Sequence, residues 1–416
     1  MMTTGLNKAL KEKLKNILIS VFPQKADPLQ MALKGNELEI AIKEHQPELL
    51  WNISVSEPNV FILPLQDPPP RLFRWVEMLE KDLPLESAVD NFLSELDQLL
   101  ITKKLKVSIT ASLLGLRLQI GVDIQLEKNI WVKNFPEYKK IELKEKCTQH
   151  LQQSLMLGFQ PRSELAEAFQ EKIVSCVYGE FDVPFKFVNP NRQPSDATET
   201  RSSLLNIKSE FDNACELFLL SAHAVKNGFS EVFTTNFELK TINLLEHAGK
   251  NYFYQQNLRT AWNEMEINCE DAEKIKNIYI FLKTPSDWQN KIHLACRRLF
   301  LSESRVGSGG MFATTYADGL IDACIGLESV LLKPNDEFQT GRKIKENYCK
   351  IMSLSEKEGE LEKKKIQDQI LDKRDYVVHR RELSLSQKEI KCATELAQSM
   401  LRKLISAIVI DNAQLP

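Results

Sequence analysis

Residues Ile366-Gln367-Asp368-Gln369-Ile370-Leu371-Asp372-Lys373-Arg374-Asp375-Tyr376-Val377-Val378-His379 read as part of one long helix predicted over 358–381. Ile366, Ile370, Leu371, Val377 and Val378 mark an apolar arc, and at about 100° per residue Arg374 falls inside it rather than on the wet side. A permanently charged guanidinium on a core-facing stripe needs a partner or a task. His379 stands at the edge of the same arc with Asp375 four residues behind it, so a carboxylate can orient the imidazole or tune its charge.

Around this helix the pattern is mostly helical. Apolar residues at three- and four-residue intervals predict helices over 203–226, 285–302, 316–332, 342–352 and 387–410, enough for a bundle. In the 316–332 helix, Leu320, Ile321, Cys324, Leu331 and Leu332 share an arc, and Glu328 projects into its middle. A buried carboxylate either takes up a proton or finds a cation. Arg374 lies on an equally apolar stripe and is one partner for Glu328; Arg297 or Arg298, on the 285–302 helix, is the other choice.

The first part of the chain mixes element types. A helix is expected over 6–22, strands over 38–42 and 60–65, and a further helix near Arg71 after Pro68-Pro69-Pro70. Strands over 105–111 and 116–124, separated by Leu113-Leu114-Gly115, suggest a hairpin, and 232–239 is a further strand candidate. The polar stretch Asn189-Pro190-Asn191-Arg192-Gln193-Pro194-Ser195-Asp196 marks the boundary. The expected architecture is therefore an α+β domain over 1–190, followed by a mainly α-helical domain over 200–416 whose bundle core spans about 285–410.

Composition removes several function classes. With 54 Lys and Arg against 57 Asp and Glu, the net charge is -3, so no global positive field gathers nucleic acid and any polyanion site must be a local basic patch. The eight cysteines are scattered without a CxxC pair or other metal-ligand spacing and read as reduced thiols of a cytoplasmic protein. Neither a secretion signal nor a membrane span of roughly 20 apolar residues is legible. Gly307-Ser308-Gly309-Gly310 lacks the GxxxxGK[ST] spacing of a phosphate cradle and reads as a helix connection. Lys363-Lys364-Lys365 is flanked by Glu360 and Glu362 and reads as a solvated helix face. No cofactor or metal is called for by any motif.

Arg374 and His379 suit phosphodiester cleavage in RNA. The 2′-hydroxyl loses a proton and attacks the adjacent phosphorus, charge builds on the nonbridging oxygens, and the 5′-oxygen leaves. An imidazole with an ordinary pKa near 6.5 can move those protons, and a guanidinium supplies paired donors to the phosphoryl oxygens. One histidine makes a thin site; a two-fold dimer placing two copies of this helix across one cleft supplies two histidines and two arginines.

Arg374-Asp375-Tyr376-Val377-Val378-His379 resembles the diagnostic motif of the HEPN superfamily, an Arg and a His separated by a few residues on a helix of a compact bundle. The wider stretch is similar to the Apea-like HEPN group, through Ala295-Cys296-Arg297-Arg298-Leu299-Phe300 and Leu320-Ile321-Asp322-Ala323-Cys324-Ile325-Gly326-Leu327-Glu328-Ser329-Val330-Leu331. The resemblance implies a metal-independent endoribonuclease, a toxin or antiphage effector of abortive infection that acts as a homodimer or higher oligomer and responds to a phage-derived or regulatory protein trigger. It makes Arg374 and His379 the catalytic pair and Asp375 the polar adjunct; because the whole-chain balance is slightly acidic, any basic rim toward RNA comes from Lys373, Arg380 and Arg381. Arg380 stands where family members often carry a small residue. Some members of the family are inactive RNA- or protein-binding modules, and by analogy residues 1–190 are a sensor or regulatory domain.

Overall fold

The computed structural model describes residues 5–21, 28–50, 52–53, 76, 79, 83–135, 173–184, 187–188, 197–228, 230–239, 264–286, 288–307, 315–333, 336, 340–379 and 385–411. An N-terminal region with helices and a small mixed sheet precedes a mostly helical C-terminal bundle. In order, the elements are α1 Lys8–Val21, α2 Pro28–His45, β1 Asn52–Ile53, α3 Leu85–Thr102, β2 Lys104–Leu114, β3 Leu116–Leu118, β4 Ile124–Glu127, β5 Ile130–Asn134, β6 Ile173–Pro184 and β7 Phe187–Val188. There follow α4 Ala197–Val225, β8 Glu231–Leu239, β9 Met265–Ile267, α5 Cys269–Lys283, α6 Gln289–Gly307, α7 Thr315–Leu331, α8 Thr340–Ile351, α9 Glu356–Ile366, α10 Asp372–His379 and α11 Gln387–Val409.

Two sequence expectations fail for physical reasons. The 38–42 segment is the middle of α2, not a strand: Leu38, Ala41 and Ile42 are buried at helical spacing while Ile40 is 58% exposed. The expected hairpin is also absent. Gly115, at φ 73, turns the chain in the left-handed region that glycine tolerates, and β3 then pairs in parallel with β9 far along the sequence. Local periodicity carries no information about such a distant parallel partner. Strands β4, β5, β6, β2 and β8 hydrogen-bond in that order, with β4 antiparallel to β5. The expected strand at 60–65, the helix start at Arg71 and the boundary at 189–196 lie outside the described residues.

The packing resolves into two compact units, one of residues 1–110, 179–212 and 236–253, the other of residues 111–178, 213–235 and 254–416. In the first, Leu10, Leu14 and Leu18 of α1 are buried, as are Leu38 and Ile42 of α2 and Leu93 and Leu96 of α3. The Leu6 N–H donates to Asp97 Oδ1 at 2.6 Å and fixes the entry to α1.

In the second unit α7 packs against both α6 and α11. Gly326 marks the close approach: a Cβ there would lie 2.5 Å from Leu401 Cδ2, so the usual penalty for glycine inside a helix is accepted for contact. A buried polar seam runs along α11 at four-residue spacing. Thr394 Oγ1 donates to the Tyr316 carbonyl at 3.0 Å, and Gln398 Nε2 donates to Ser302 Oγ at 2.9 Å. One turn on, Arg402 pairs with Glu303 and donates from Nε to the His223 carbonyl at 3.0 Å. Glu303 in turn contacts His223 Nδ1, and His223 Nε2 faces the Ser230 backbone, 3.0 Å from the carbonyl oxygen and 3.4 Å from the N–H. This Arg, Glu and His cluster ties α11 to α4 and α6, which builds the frame that carries α7.

Burial, reinforced by the Arg402 charge, pushes His223 down to about 4, while Arg402 itself is lowered by burial to about 10 and stays charged at neutral pH. A proton that the unfolded His223 takes up near its ordinary 6.5 is therefore refused by the folded chain until about 4. The contribution to stability is complete above 6.5 and is lost as pH falls toward 4. Denaturant unfolding between those limits is expected to show stability falling with acid, and the H223Q protein a shallower fall. Equal slopes for the two proteins would contradict this assignment.

Candidate functional site

The helix that carries Arg374 is interrupted. Between α9 and α10, residues Gln367–Leu371 form a π turn, in which the Asp372 N–H reaches back five residues to the Gln367 carbonyl. Each such turn holds an extra residue and rotates everything after it relative to an ideal α-helix. Ile366, Ile370 and Leu371 are buried as expected, but Val378 beyond the turn is 45% exposed and no residue of α10 is buried. The apolar arc drawn through Val377 and Val378 therefore ends at the π turn, and α10 lies along the surface with a half-buried root.

Arg374 sits at that root. Its Nη2 lies 3.2 Å from Glu328 Oε1 of α7, and its Nη1 donates to Asp375 Oδ1 at 3.1 Å. The side chains of Arg374 and Glu328 are 29% and 22% exposed, so the pair is half-buried rather than sealed. Glu328 belongs to the edge of the arc, with Leu320, Ala323, Cys324, Leu327, Val330 and Leu331 forming its buried part. Burial raises the Glu328 carboxyl against the opposing pull of Arg374. The Glu328 and Asp375 carboxylates raise the Arg374 guanidinium despite its desolvation. Beside them burial pushes the Cys324 thiol up to about 12, so it is an inert thiol and not a nucleophile.

The other predicted residues are placed as follows. His379 is exposed on the last turn of α10 and makes no hydrogen bond among the described residues; Asp375 turns to Arg374 and does not orient it. Arg374 and His379 are five helical positions apart, so their side chains diverge by about 140° and about 7.5 Å along the axis. Lys373 is 3.5 Å from Glu389, at the start of α11. Arg380 and Arg381 lie outside the described residues. Arg297 is exposed and is not a buried charge. Arg298 is paired, but with Asp322 at 2.8 Å and not with Glu328.

Asp322 is the carboxylate that sequence reasoning missed. Its side chain is 2% exposed, with Arg305 Nε 2.6 Å away on the other oxygen and Arg305 also 3.4 Å from Asp318. The signal was present in the sequence: two arginines seven residues apart on one helix and two aspartates four apart on the next are spacings that line up facing charges. The seam at Thr394, Gln398 and Arg402 was legible in the same way, as polar residues at strict four-residue intervals.

Because both members of the Glu328 and Arg374 pair retain water contact, E328A is expected to cost about 1–2 kcal/mol, less than a sealed ion pair and more than a solvated glutamate such as Glu356. Chemical denaturation of E328A beside E356A checks this; equal losses would contradict a pair that supports Arg374.

Among the described residues, no helix is long and apolar enough to cross a membrane, and no group of three or more His, Cys, Asp or Glu is placed to hold a metal ion. Comparisons with protein-family models, curated proteins and solved structures return no match.

Proposed function

We propose that this chain is a cytoplasmic endoribonuclease of HEPN type that cleaves RNA by attack of the 2′-hydroxyl on the adjacent phosphate, and that it serves as an antiphage effector of abortive infection. The observation that carries the reading is the state of the two motif side chains. Arg374 is held in place by Glu328 and Asp375, while His379, on the same short helix, is exposed and makes no hydrogen bond among the described residues. A fixed guanidinium and an exposed imidazole, brought to one phosphate, are the division of labour that this cleavage needs.

His379 takes the 2′-oxygen proton as the bond from that oxygen to phosphorus forms. Arg374 donates to the nonbridging oxygens, and the bond to the 5′-oxygen breaks as that oxygen takes a proton from water, whose hydroxide is neutralised by the proton that His379 has taken up. The products are a 2′,3′-cyclic phosphate and a 5′-hydroxyl. The nucleophile belongs to the substrate, so no metal ion is needed to generate it. The divergence of the two side chains around α10 favours a homodimer in which Arg374 of one protomer and His379 of its partner face one phosphate. Residues 1–190 are the sensor for the trigger in this reading.

A binding module without catalysis is the second reading, favoured by the engagement of both Arg374 terminal nitrogens with carboxylates. Full-length protein incubated in EDTA with labelled single-stranded RNA and structured tRNA separates the two. Cleavage that both R374A and H379A abolish supports the nuclease; intact RNA with binding retained supports the module.

A further inference from the structure

The chain is acidic overall, yet α8 is strongly basic. Arg342, Lys343, Lys345 and Lys350 oppose the single Glu346, so four positive charges less one give +3 on one short helix. Ile344, Tyr348, Cys349 and Ile351 are buried and fix which side of α8 faces the protein. Lys343 and Lys350, seven residues apart, share a line on the opposite side, separated by about 10.5 Å of helix rise. Neither makes an ion pair among the described residues.

Arg342 donates from Nε to Glu346 Oε1 at 2.7 Å, and the Glu346 carboxyl is held down by that bond first and then by the charges of Lys343 and Lys363. Lys363 is itself 2.8 Å from Glu360, so the positive excess is that of α8 alone. The other side of α8 is fixed against the helix that leads into Arg374. Lys345 Nζ donates to Gln367 Oε1 at 2.7 Å, inside the π turn. A Cβ on Gly341 would lie 3.4 Å from Leu371 Cδ1, so the first turn of α8 packs against the residue three before Arg374.

We propose that the outward face of α8, centred on Lys343 and Lys350, is a phosphate-backbone track for single-stranded RNA. The inference rests on the nuclease reading for its substrate, and charge complementarity is its physical basis: unpaired lysines release counterions from a polyanion without reading sequence. It shifts the principal basic surface away from α10, where Lys373 in the first turn is already matched with Glu389.

The test uses the full chain and a fluorescent 2′-O-methyl oligonucleotide, which lacks the attacking hydroxyl and cannot be consumed. Binding is followed by anisotropy from low to moderate salt. K343E/K350E is expected to bind about tenfold or more weakly, with a log-log salt slope shallower by about 1.4, that is, two contacts at about 0.7 each. K343Q/K350Q is expected to fall between it and the wild type. K8E/K11E, which changes the net charge equally on α1, is expected to bind like the wild type.

Equal binding by the two charge-reversed proteins overturns the track, as does binding to phosphatidylserine vesicles with no binding to the oligonucleotide. Unaltered oligonucleotide binding by K343E/K350E alongside RNA cleavage by the wild type removes the track and leaves the nuclease. Track-dependent binding with no cleavage removes the nuclease and supports the track as the surface of a binding module.

Discussion

Arg402→Met is expected to lower the stability of the C-terminal bundle by about 3–5 kcal/mol, the largest loss predicted for any single side chain described above. The size follows from what is left behind. Glu303 has only 4% of its side chain exposed, and without Arg402 its charge rests against His223, an imidazole that burial keeps neutral. The same substitution removes the donor to the His223 carbonyl and the contact of Nη2 with Asn227 Oδ1 at 3.3 Å. Replacing both charges together, as E303L/R402M, is expected to recover most of the loss, since a packed apolar pair does as well as a buried ionic one. Denaturant unfolding of the two single variants and the double variant yields the coupling energy directly. Additive losses would mean that Arg402 and Glu303 do not depend on each other and would refute the cluster as the clasp of α11.

The second large effect is on RNA cleavage. H379A is expected to reduce the rate about 10²–10⁴-fold, the range for loss of a positioned acid or base. R374A is expected to lose about 10²–10³-fold through the missing donors to the phosphoryl oxygens. The two differ in how they should respond to repair. R374K keeps a charge but loses the planar fork that Glu328 and Asp375 hold, so it is expected to recover little. E328Q should keep measurable cleavage but with a less well placed guanidinium, since Asp375 still holds Nη1. Single-turnover rates on one labelled RNA measure all four, and wild-type rates for R374A would remove Arg374 from the mechanism.

Helices with a buried apolar stripe were the most legible part of the sequence. The expected helix at 316–332 is α7 at Thr315–Leu331, and the one at 387–410 is α11 at Gln387–Val409, because each sets a continuous periodic face against its neighbours. The Cys269–Lys283 helix was not anticipated, although its capping box, Asn268 with Asp271, was readable. Strand partners were legible least. The alternation at Leu38, Ile40 and Ile42 imitates a strand, and nothing local in Leu116–Leu118 announces a parallel partner at Met265–Ile267.

At the site, the Glu328 to Arg374 pair was one of the partners anticipated from two charges on two apolar stripes. Its exposure was not, because the π turn at Gln367–Leu371 rotates α10 and periodicity assumes that no residue is added to a turn. The buried Asp322 is not marked by the apolar arc of α7, because it faces Arg298 and Arg305 on α6, and only the spacing of charges on two helices reveals it.

The most direct test of the central claim, that Arg374 and His379 cleave RNA through its own 2′-hydroxyl, is the chemistry of the product ends. Full-length protein should be incubated in EDTA with one labelled RNA, and with the same RNA carrying a single 2′-deoxy nucleotide at the cleaved position, and the fragments weighed by mass spectrometry. A 2′,3′-cyclic phosphate on the upstream fragment, a 5′-hydroxyl on the downstream fragment and no cut at the 2′-deoxy position are the predicted result. A 5′-phosphate on the downstream fragment, or equal cleavage at the 2′-deoxy position, would contradict it.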